Sequence, residues 1–375
     1  MNQMLSYWEE KSWFSELDYV IVGSGIVGIT NAIFLKRKYT DAKILVLDKG
    51  IFPEGASTKN AGFACFGSLS ELLSDIENMG EENTLNLVKM RWNGLQHLFS
   101  ITEKHIIDYQ QNGGFEVFRA EDFSLQQKCL EHIDKVNEML FPYFQSTVFR
   151  ISDADFGLGD CSLMIENPLE AQVDTGKMMM TLLQKAQQLG VIFLFSTEVQ
   201  SYEDEEDHVR IQTQYNEFQA KKCILATNAF AKNFLPNEDI QPARAQVLLT
   251  EKIPNLSLKG TFHMDEGYYY FRNIHGRILL GGARNSDFKN ENTTEFGITD
   301  SIQKQLEDVL YSVILPNQTH IKIEQRWSGI MALGNEKLPI VNSVSQNVAS
   351  GIRLGGMGIA LGTNIGKKLS EMLPL

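Results

Sequence analysis

The spacing of apolar positions changes character along the chain. Tyr19–Val22 is a short apolar run that stops at glycine, and a helical pattern follows it to about Lys38. Ile44–Leu47 is a second unbroken apolar run, typical of a strand buried on both faces. Strand, helix, strand in this order predicts a parallel pair. From Asn83 to Tyr109, Val88, Trp92, Leu95 and Phe99 recur at helical spacing, which predicts a helix with a core-facing stripe. Two more helices are predicted over 122–140 and 174–189. After Val191 strands take over, at 191–195, 197–202, 208–215, 222–226, 244–250, 268–272, 277–281, 321–327 and 348–354. One helix near 301–314 interrupts them, and a helix from Gly358 to Met372 closes the chain. Tyr268–Arg272 followed by the turn Asn273–Gly276 reads as a hairpin of an antiparallel sheet. The expected fold class is α/β (α+β overall), with two interleaved domains built from non-contiguous segments.

Composition narrows the function classes. The 375 residues include 34 Lys+Arg against 47 Asp+Glu, a net charge of −13, which disfavours nucleic acid and anionic membranes as partners. Glu203–Asp207, five acids between two alternating segments, reads as a solvated hairpin turn. The four cysteines, at 65, 129, 161 and 223, form no CxxC pair, so neither a disulfide framework nor a zinc site is expected. The charged N-terminal residues do not resemble a signal peptide, and no apolar run approaches the length of a membrane span. A soluble, cytoplasmic protein is expected. The seven histidines show no HExxH and no paired spacing, Asp153-x-Asp155-x-Gly157 lacks the closing Glu of a calcium loop, and neither GxSxG nor a P-loop occurs. No metal site is expected.

The strongest local motif is Gly23-Ser24-Gly25-Ile26-Val27-Gly28, directly after the first apolar run. Gly23 permits the tight turn, Gly25 lets backbone approach a pyrophosphate, and Gly28 lets helix and strand pack closely. The helix start adds free N–H groups and the positive end of its dipole. Asp48 ends the second strand about 20 residues past Gly28, where a carboxylate accepts ribose hydroxyls and repels the 2′-phosphate of NADP.

The small-residue stretch Gly55-Ala56-Ser57-Thr58-Lys59-Asn60-Ala61-Gly62 has no packing explanation. It resembles a loop of the D-amino-acid oxidase family of FAD-dependent oxidoreductases, and the resemblance continues through Cys223–Ala229, Arg277–Gly282, Arg326–Ile330, Leu338–Val341 and Gly355–Gly358 in family order. It implies a Rossmann-type FAD-binding domain (1–80, 145–235 and 330–375) interleaved with an antiparallel-sheet substrate domain (81–144 and 236–329). The implied cofactor contacts are Gly23, Ser24, Gly25, Ile26, Val27, Gly28, Asp48 and Lys49, then Ala56, Ser57, Thr58, Lys59, Asn60, Ala61 and Gly62. Val199, Ala226, Thr227, Asn228, Gly329, Ile330, Gly355, Gly356, Met357, Gly358 and Ile359 complete the set. Lys59 would offset charge on the pyrophosphate or on reduced flavin. Gly358, Gly362 and Gly366 share one helical face, which predicts close backbone packing. Some members of the family tether flavin through a Cys in the segment matching Trp327–Met331; none stands there, so noncovalent FAD is expected.

The resemblance also implies a small-molecule amine or amino-acid substrate bound at the sheet, with Tyr268, Tyr270, Arg272 and Met331 as candidate contacts. Tyr268 and Tyr270 share one strand face, and Tyr269 and Phe271 the other. Met331 stands where oxidases of the glycine-oxidase type carry the carboxylate-binding Arg, leaving Arg272, Arg284 or Arg326 as substitutes. Leu279 stands where the sarcosine-oxidase type has Lys, and Tyr7-Trp8 with the Tyr-Phe-Arg strand looks more like the gamma-glutamylputrescine-oxidase branch. Three readings stand side by side. They are an oxidase of a C–N bond in an amine or N-substituted amino acid, a dehydrogenase of an amine or hydroxy acid with a non-oxygen acceptor, and a non-catalytic flavin-binding subunit. Oligomeric state is left open.

Overall fold

The computed structural model describes residues 4–318 and 320–375. Its first sheet runs Ile340–Ser343, Val348–Ile352, Glu217–Leu225, Leu17–Val22, Ile44–Leu47, Ile192–Leu194 in spatial order. The pairs flanking Leu17–Val22 are parallel, as the strand–helix–strand pattern predicts. Tyr19 and Ile21 face a core shared with the helices Ile26–Lys38, Thr175–Gln188 and Gly358–Met372, whereas Val20 and Val22 face a second core. Both sides are covered, which accounts for the unbroken apolar runs. Val199–Asp204 and Val209–Thr213 form the expected hairpin around the acidic run. That turn also anchors Asn347, whose backbone N–H and Nδ2 donate to Asp204 at 3.1 and 2.8 Å.

The second sheet has the order Ile323–Leu333, Gln241–Thr250, Arg277–Gly282, Tyr269–Ile274, Thr261–Met264, Gly114–Phe118, Leu163–Asn167, Arg150–Ile151. Only its Thr261–Met264/Gly114–Phe118 pair is parallel. One face packs on the helix Asp300–Val309, with Tyr269, Phe271, Leu280 and Phe262 in that core. The strands correct the expected boundaries. Arg150–Ile151 and Leu163–Asn167, expected on the nucleotide side within 145–235, pair into the second sheet instead. Ile323–Leu333 also runs past the expected boundary at 330, and its Ile330 and Ala332 are buried in a nucleotide-side core.

The helix expected from Asn83 is the second part, after Gly80, of a helical stretch over Leu69–Ile101. Ser68 and Glu71 form a reciprocal capping box that starts it, and Gly80, at φ 83°, interrupts it. Beyond it Thr102 is extended and Asp108 is left-handed at φ 50°, so Tyr109 lies outside. The glycine face of Gly358–Met372 packs as expected at two of three positions: a Cβ on Gly362 or Gly366 would run into Ile26 or Thr30. Gly358, at the helix start, has open space. Among the described residues no helix is long and apolar enough to cross a membrane.

Candidate active site

The glycine turn is built as its spacing requires. Gly23 has φ +105°, and a Cβ there would stand 2.7 Å from the Ala226 carbonyl oxygen. A Cβ on Gly28 would run into Gly23 O, so helix and strand touch through glycine. Gly25 differs: a Cβ there meets only Ser57 Oγ, at 3.1 Å. That contact is tight but lies against one side-chain oxygen rather than backbone, so packing constrains this glycine less than its two neighbours and close approach of a ligand is the further physical reason for it. Ser57 Oγ accepts from Ile26 N–H at 2.9 Å, which joins the 55–62 loop to the helix start. Asp48 Oδ2 accepts from Ser24 N and Oγ at 2.8 and 2.6 Å, and its Oδ1 from Gly50 N at 2.9 Å. Both oxygens are thereby aimed: Oδ2 is filled by its two donors, and Oδ1 keeps acceptor capacity for a ribose. Lys49 is exposed over the Phe230 ring, and Val199 is buried in the nucleotide-side core. Ala226 and Thr227 border Gly23, and the Thr227 hydroxyl is buried without a partner. An orphaned hydroxyl beside a glycine turn is what a bound polar ligand would satisfy.

The 55–62 loop is a single helical turn, Ala56–Lys59, followed by a lock on Asn60. Thr58 Oγ1 donates to Pro53 O at 2.6 Å. Asn60 Nδ2 donates to Ser57 O at 2.8 Å, and its Oδ1 accepts from Gly62 N and Thr175 Oγ1, both at 2.9 Å. From the second sheet, Trp327 Nε1 donates to Lys59 O at 2.9 Å, and a Cβ on Gly329 would lie 3.3 Å from the Lys59 Cβ. Ala61 is buried against Val247 and Leu279 of the same sheet. At the far end, Arg353, Gly355 and Gly356 are all left-handed, at φ 61°, 58° and 82°. Arg353 is held there by Asp239 at 2.8 Å and Leu338 O at 2.9 Å, and its N–H donates to Asn228 Oδ1 at 3.1 Å. Strain fixed this firmly belongs to a site more often than to a core. Met331 Sδ lies 3.3 Å from where a Gly356 Cβ would stand, Met357 caps the final helix, and Ile359 is buried behind it. The glycine turn, the 55–62 loop and the strand carrying Trp327 and Gly329 thus meet along one seam between the two sheets.

Of the candidate substrate residues, Tyr270 and Arg272 lie on the sheet face toward this seam. Tyr270 pairs with His263 and Gly281, and Arg272 with Thr261 and Leu279. The Tyr270 ring covers Gly281 and sits edge-on to Phe63, 5.8 Å between centroids. Tyr268 is parted from Tyr270: it precedes the strand, is exposed, and leans on Phe288. Among the alternative cations, Arg326 pairs with Glu307 and Arg284 lies over the Phe288 ring. Arg272 is different. It is 3% exposed, its Nε has no hydrogen-bond partner, and no carboxylate among the described residues pairs with it. Burial pushes the guanidinium down to about 10, although Asp174 and Asp108 pull the other way. Its Nη2 lies 2.8 Å from where a Gly62 Cβ would be, and it lines a cleft of about 380 Å³ together with Asp108, Asp174, Lys259 and His275.

Three residues at this face went unnoticed in the sequence. Cys65, Glu170 and His263 converge beyond Tyr270, with Phe63 edge-on to the imidazole at 5.3 Å. Burial opposes charge on His263, but Glu170, 3.1 Å from Nε2, carries it up to about 9. Burial pushes the Cys65 thiol well up, and its Sγ lies 3.7 Å from Met357 Sδ. Only the alternation in Thr261–Met264, with Thr261 and His263 on one face, hinted at an inward histidine.

Comparison with known proteins agrees with this construction. A family model described as FAD dependent oxidoreductase, DAO, matches residues 18–372. A D-amino acid dehydrogenase of Vibrio atlanticus is 21% identical over 422 aligned positions, spanning 95% of this chain and 96% of that protein. The glycine oxidase of Geobacillus kaustophilus superposes with a TM-score of 0.76 at 16% identity, covering 96% of both chains. The L-proline dehydrogenase of P. horikoshii gives 0.75 at 16% identity, covering 95% of this chain and 93% of its own. Such low identities establish the shared fold. The family match runs through the glycine turn, the 55–62 loop and the antiparallel sheet alike, so the chain belongs to the DAO family of FAD-dependent oxidoreductases.

Proposed function

We propose that the protein oxidises the C–N bond of an amino acid or N-substituted amino acid, with noncovalently held FAD and with dioxygen as the final acceptor. Arg272 carries the substrate half of this reading. A buried guanidinium without a carboxylate partner is costly, and a substrate carboxylate at the seam would supply the missing charge. The names of the relatives (a D-amino acid dehydrogenase, a glycine oxidase, an L-proline dehydrogenase) support the same class, since all three substrates carry a carboxylate beside the nitrogen-bearing carbon.

FAD, when bound, supplies the hydride acceptor, so the protein needs to bind, orient and exclude water. Gly25 and the helix start would take the pyrophosphate, Asp48 the adenosine ribose, and the orphan Thr227 hydroxyl a neighbouring oxygen. Lys59 and the N-terminus of Gly358–Met372 would stabilise negative charge at the flavin end. The absence of cysteine from 327–331 supports noncovalent attachment. Arg272 would fix the carboxylate, while Tyr270, Phe63 and Leu279 form a dry wall beside it.

Anaerobic bleaching of the flavin by amino acids and by the matching decarboxylated amines tests the reading. Reduction by the amino acids alone is expected; reduction by the amines alone would sink the assignment of Arg272. A second reading, a dehydrogenase with a non-oxygen acceptor, is favoured by Leu279, which is buried among Ala61 and Val247 where related oxidases have a cation. Peroxide formed in step with substrate under air separates the two.

A further inference from the structure

The Cys65–Glu170–His263 cluster has no part in the proposed reaction, and its chemistry points elsewhere. Cys65 follows the short strand Phe63–Ala64, which pairs with Ala171–Gln172 directly after Glu170. His263 projects from the second sheet. One sulfur, one oxygen and one nitrogen from the three lie within 4.8 Å of one another, and the residues are 3%, 1% and 5% exposed. His263 Nε2 and Glu170 Oε2 are 3.1 Å apart, close to the roughly 3.3 Å edge of a tetrahedron with metal–ligand bonds near 2.0 Å.

Two observations make this more than a buried ion pair. Glu170 Oε1 is buried with no hydrogen-bond partner, and the Cys65 sulfur meets only the Met357 thioether, at 3.7 Å. One divalent cation held by thiolate, carboxylate and neutral imidazole would leave the ligand set electrically neutral, which suits a buried place.

We infer that Cys65, Glu170 and His263 form a binding site for one divalent cation of the zinc class, with its fourth position toward Met357 Sδ. Thiolate, imidazole and carboxylate together suit zinc and exclude magnesium or calcium. Bound there, the ion would tie the segment after the 55–62 loop to both the turn at 167–170 and the second sheet. This assignment does not depend on which substrate the enzyme uses.

Chelator-treated holoenzyme titrated with cobalt(II) tests it. We expect one equivalent to give a thiolate-to-cobalt charge-transfer band and visible ligand-field bands at wavelengths beyond oxidised flavin, both displaced by zinc. Cys65→Ser should lose the charge-transfer band, and His263→Asn should bind at least roughly tenfold more weakly. Cys129→Ser should behave as wild type, with flavin content reporting that each variant is folded. Absence of the bands from folded wild-type holoenzyme overturns the site, whatever the variants do. So does persistence of the charge-transfer band in Cys65→Ser.

Discussion

Replacing Arg272 with methionine removes a charge from a position 3% exposed while keeping much of the side-chain length. The fall in guanidinium pKa from 12.5 to about 10 reflects the cost of burying the cation. At roughly 1.4 kcal/mol per tenfold change in ionisation, that is about 3 kcal/mol. The penalty is full below about pH 10 and fades as the pH rises toward 12.5. Arg272→Met should therefore stabilise the ligand-free protein, by about 4 °C in Tm if the unfolding entropy scales with its 375 residues. The same change leaves a substrate carboxylate buried without its partner, at a cost of about 3–5 kcal/mol. That corresponds to roughly a 200- to 5000-fold loss in kcat/KM for amino acids, with little change for amines. Arg272→Lys keeps the charge but not the two-pronged geometry and should fall between. Flavin-fluorescence melting and anaerobic stopped-flow bleaching measure the two effects on one preparation. A methionine variant that is no more stable and oxidises amino acids at the wild-type rate would refute the role given to Arg272.

Gly25→Val should lower flavin affinity by about 1–3 kcal/mol and leave the melting of the apoprotein nearly unchanged, because only Ser57 Oγ stands near the added carbon. Gly28→Ala should lose both flavin and fold, since its Cβ would run into Gly23 O. Equal flavin content in Gly25→Val and wild type would remove the turn from the cofactor site. Burial pushes Glu116 up to about 7 against hydrogen bonds from Ser70 and Ser68. A carboxyl raised in the folded state contributes its stability below its unfolded value of 4.5 and loses it as the pH rises through about 7. Urea unfolding should then show wild type losing up to about 3 kcal/mol relative to Glu116→Gln across that window. Parallel pH profiles would contradict it.

What the sequence discloses here follows from how local each constraint is. Gly23, Gly28 and Asp48 were readable because a tight turn, a helix touching its own strand and an acid at a strand end each draw on a few neighbouring residues. Asn60 and Trp327 were placed by resemblance, and their physical reason, the lock on the 55–62 loop, emerges only with coordinates. The cluster at Cys65 was illegible because sheet pairing assembles it. Phe63–Ala64 meets Ala171–Gln172, and Thr261–Met264 meets Gly114–Phe118, across about a hundred residues or more. The misplaced segment 145–167 has the same cause: two short strands find their partner at Gly114–Phe118, a contact no local pattern announces. Within the stretch Leu69–Ile101 the helix after Gly80 was anticipated but carried too far at its end, and the helix before Gly80 was missed. The Ser68/Glu71 box was overlooked at its start, and the apolar residues beyond Ile101 belong to turns.

The strand Ile323–Leu333 is hydrogen-bonded along the second sheet, yet Ile330 and Ala332 are embedded in the core of the first. It works as a strut sunk into both halves of the molecule, with Trp327 pinning the 55–62 loop midway along it. Parting the two halves like a hinged clamshell would have to draw Ile330 and Ala332 out of that core. The cleft beside Arg272, bordered by the turn Asn273–Gly276, offers a reactant a way in that leaves this strut in place.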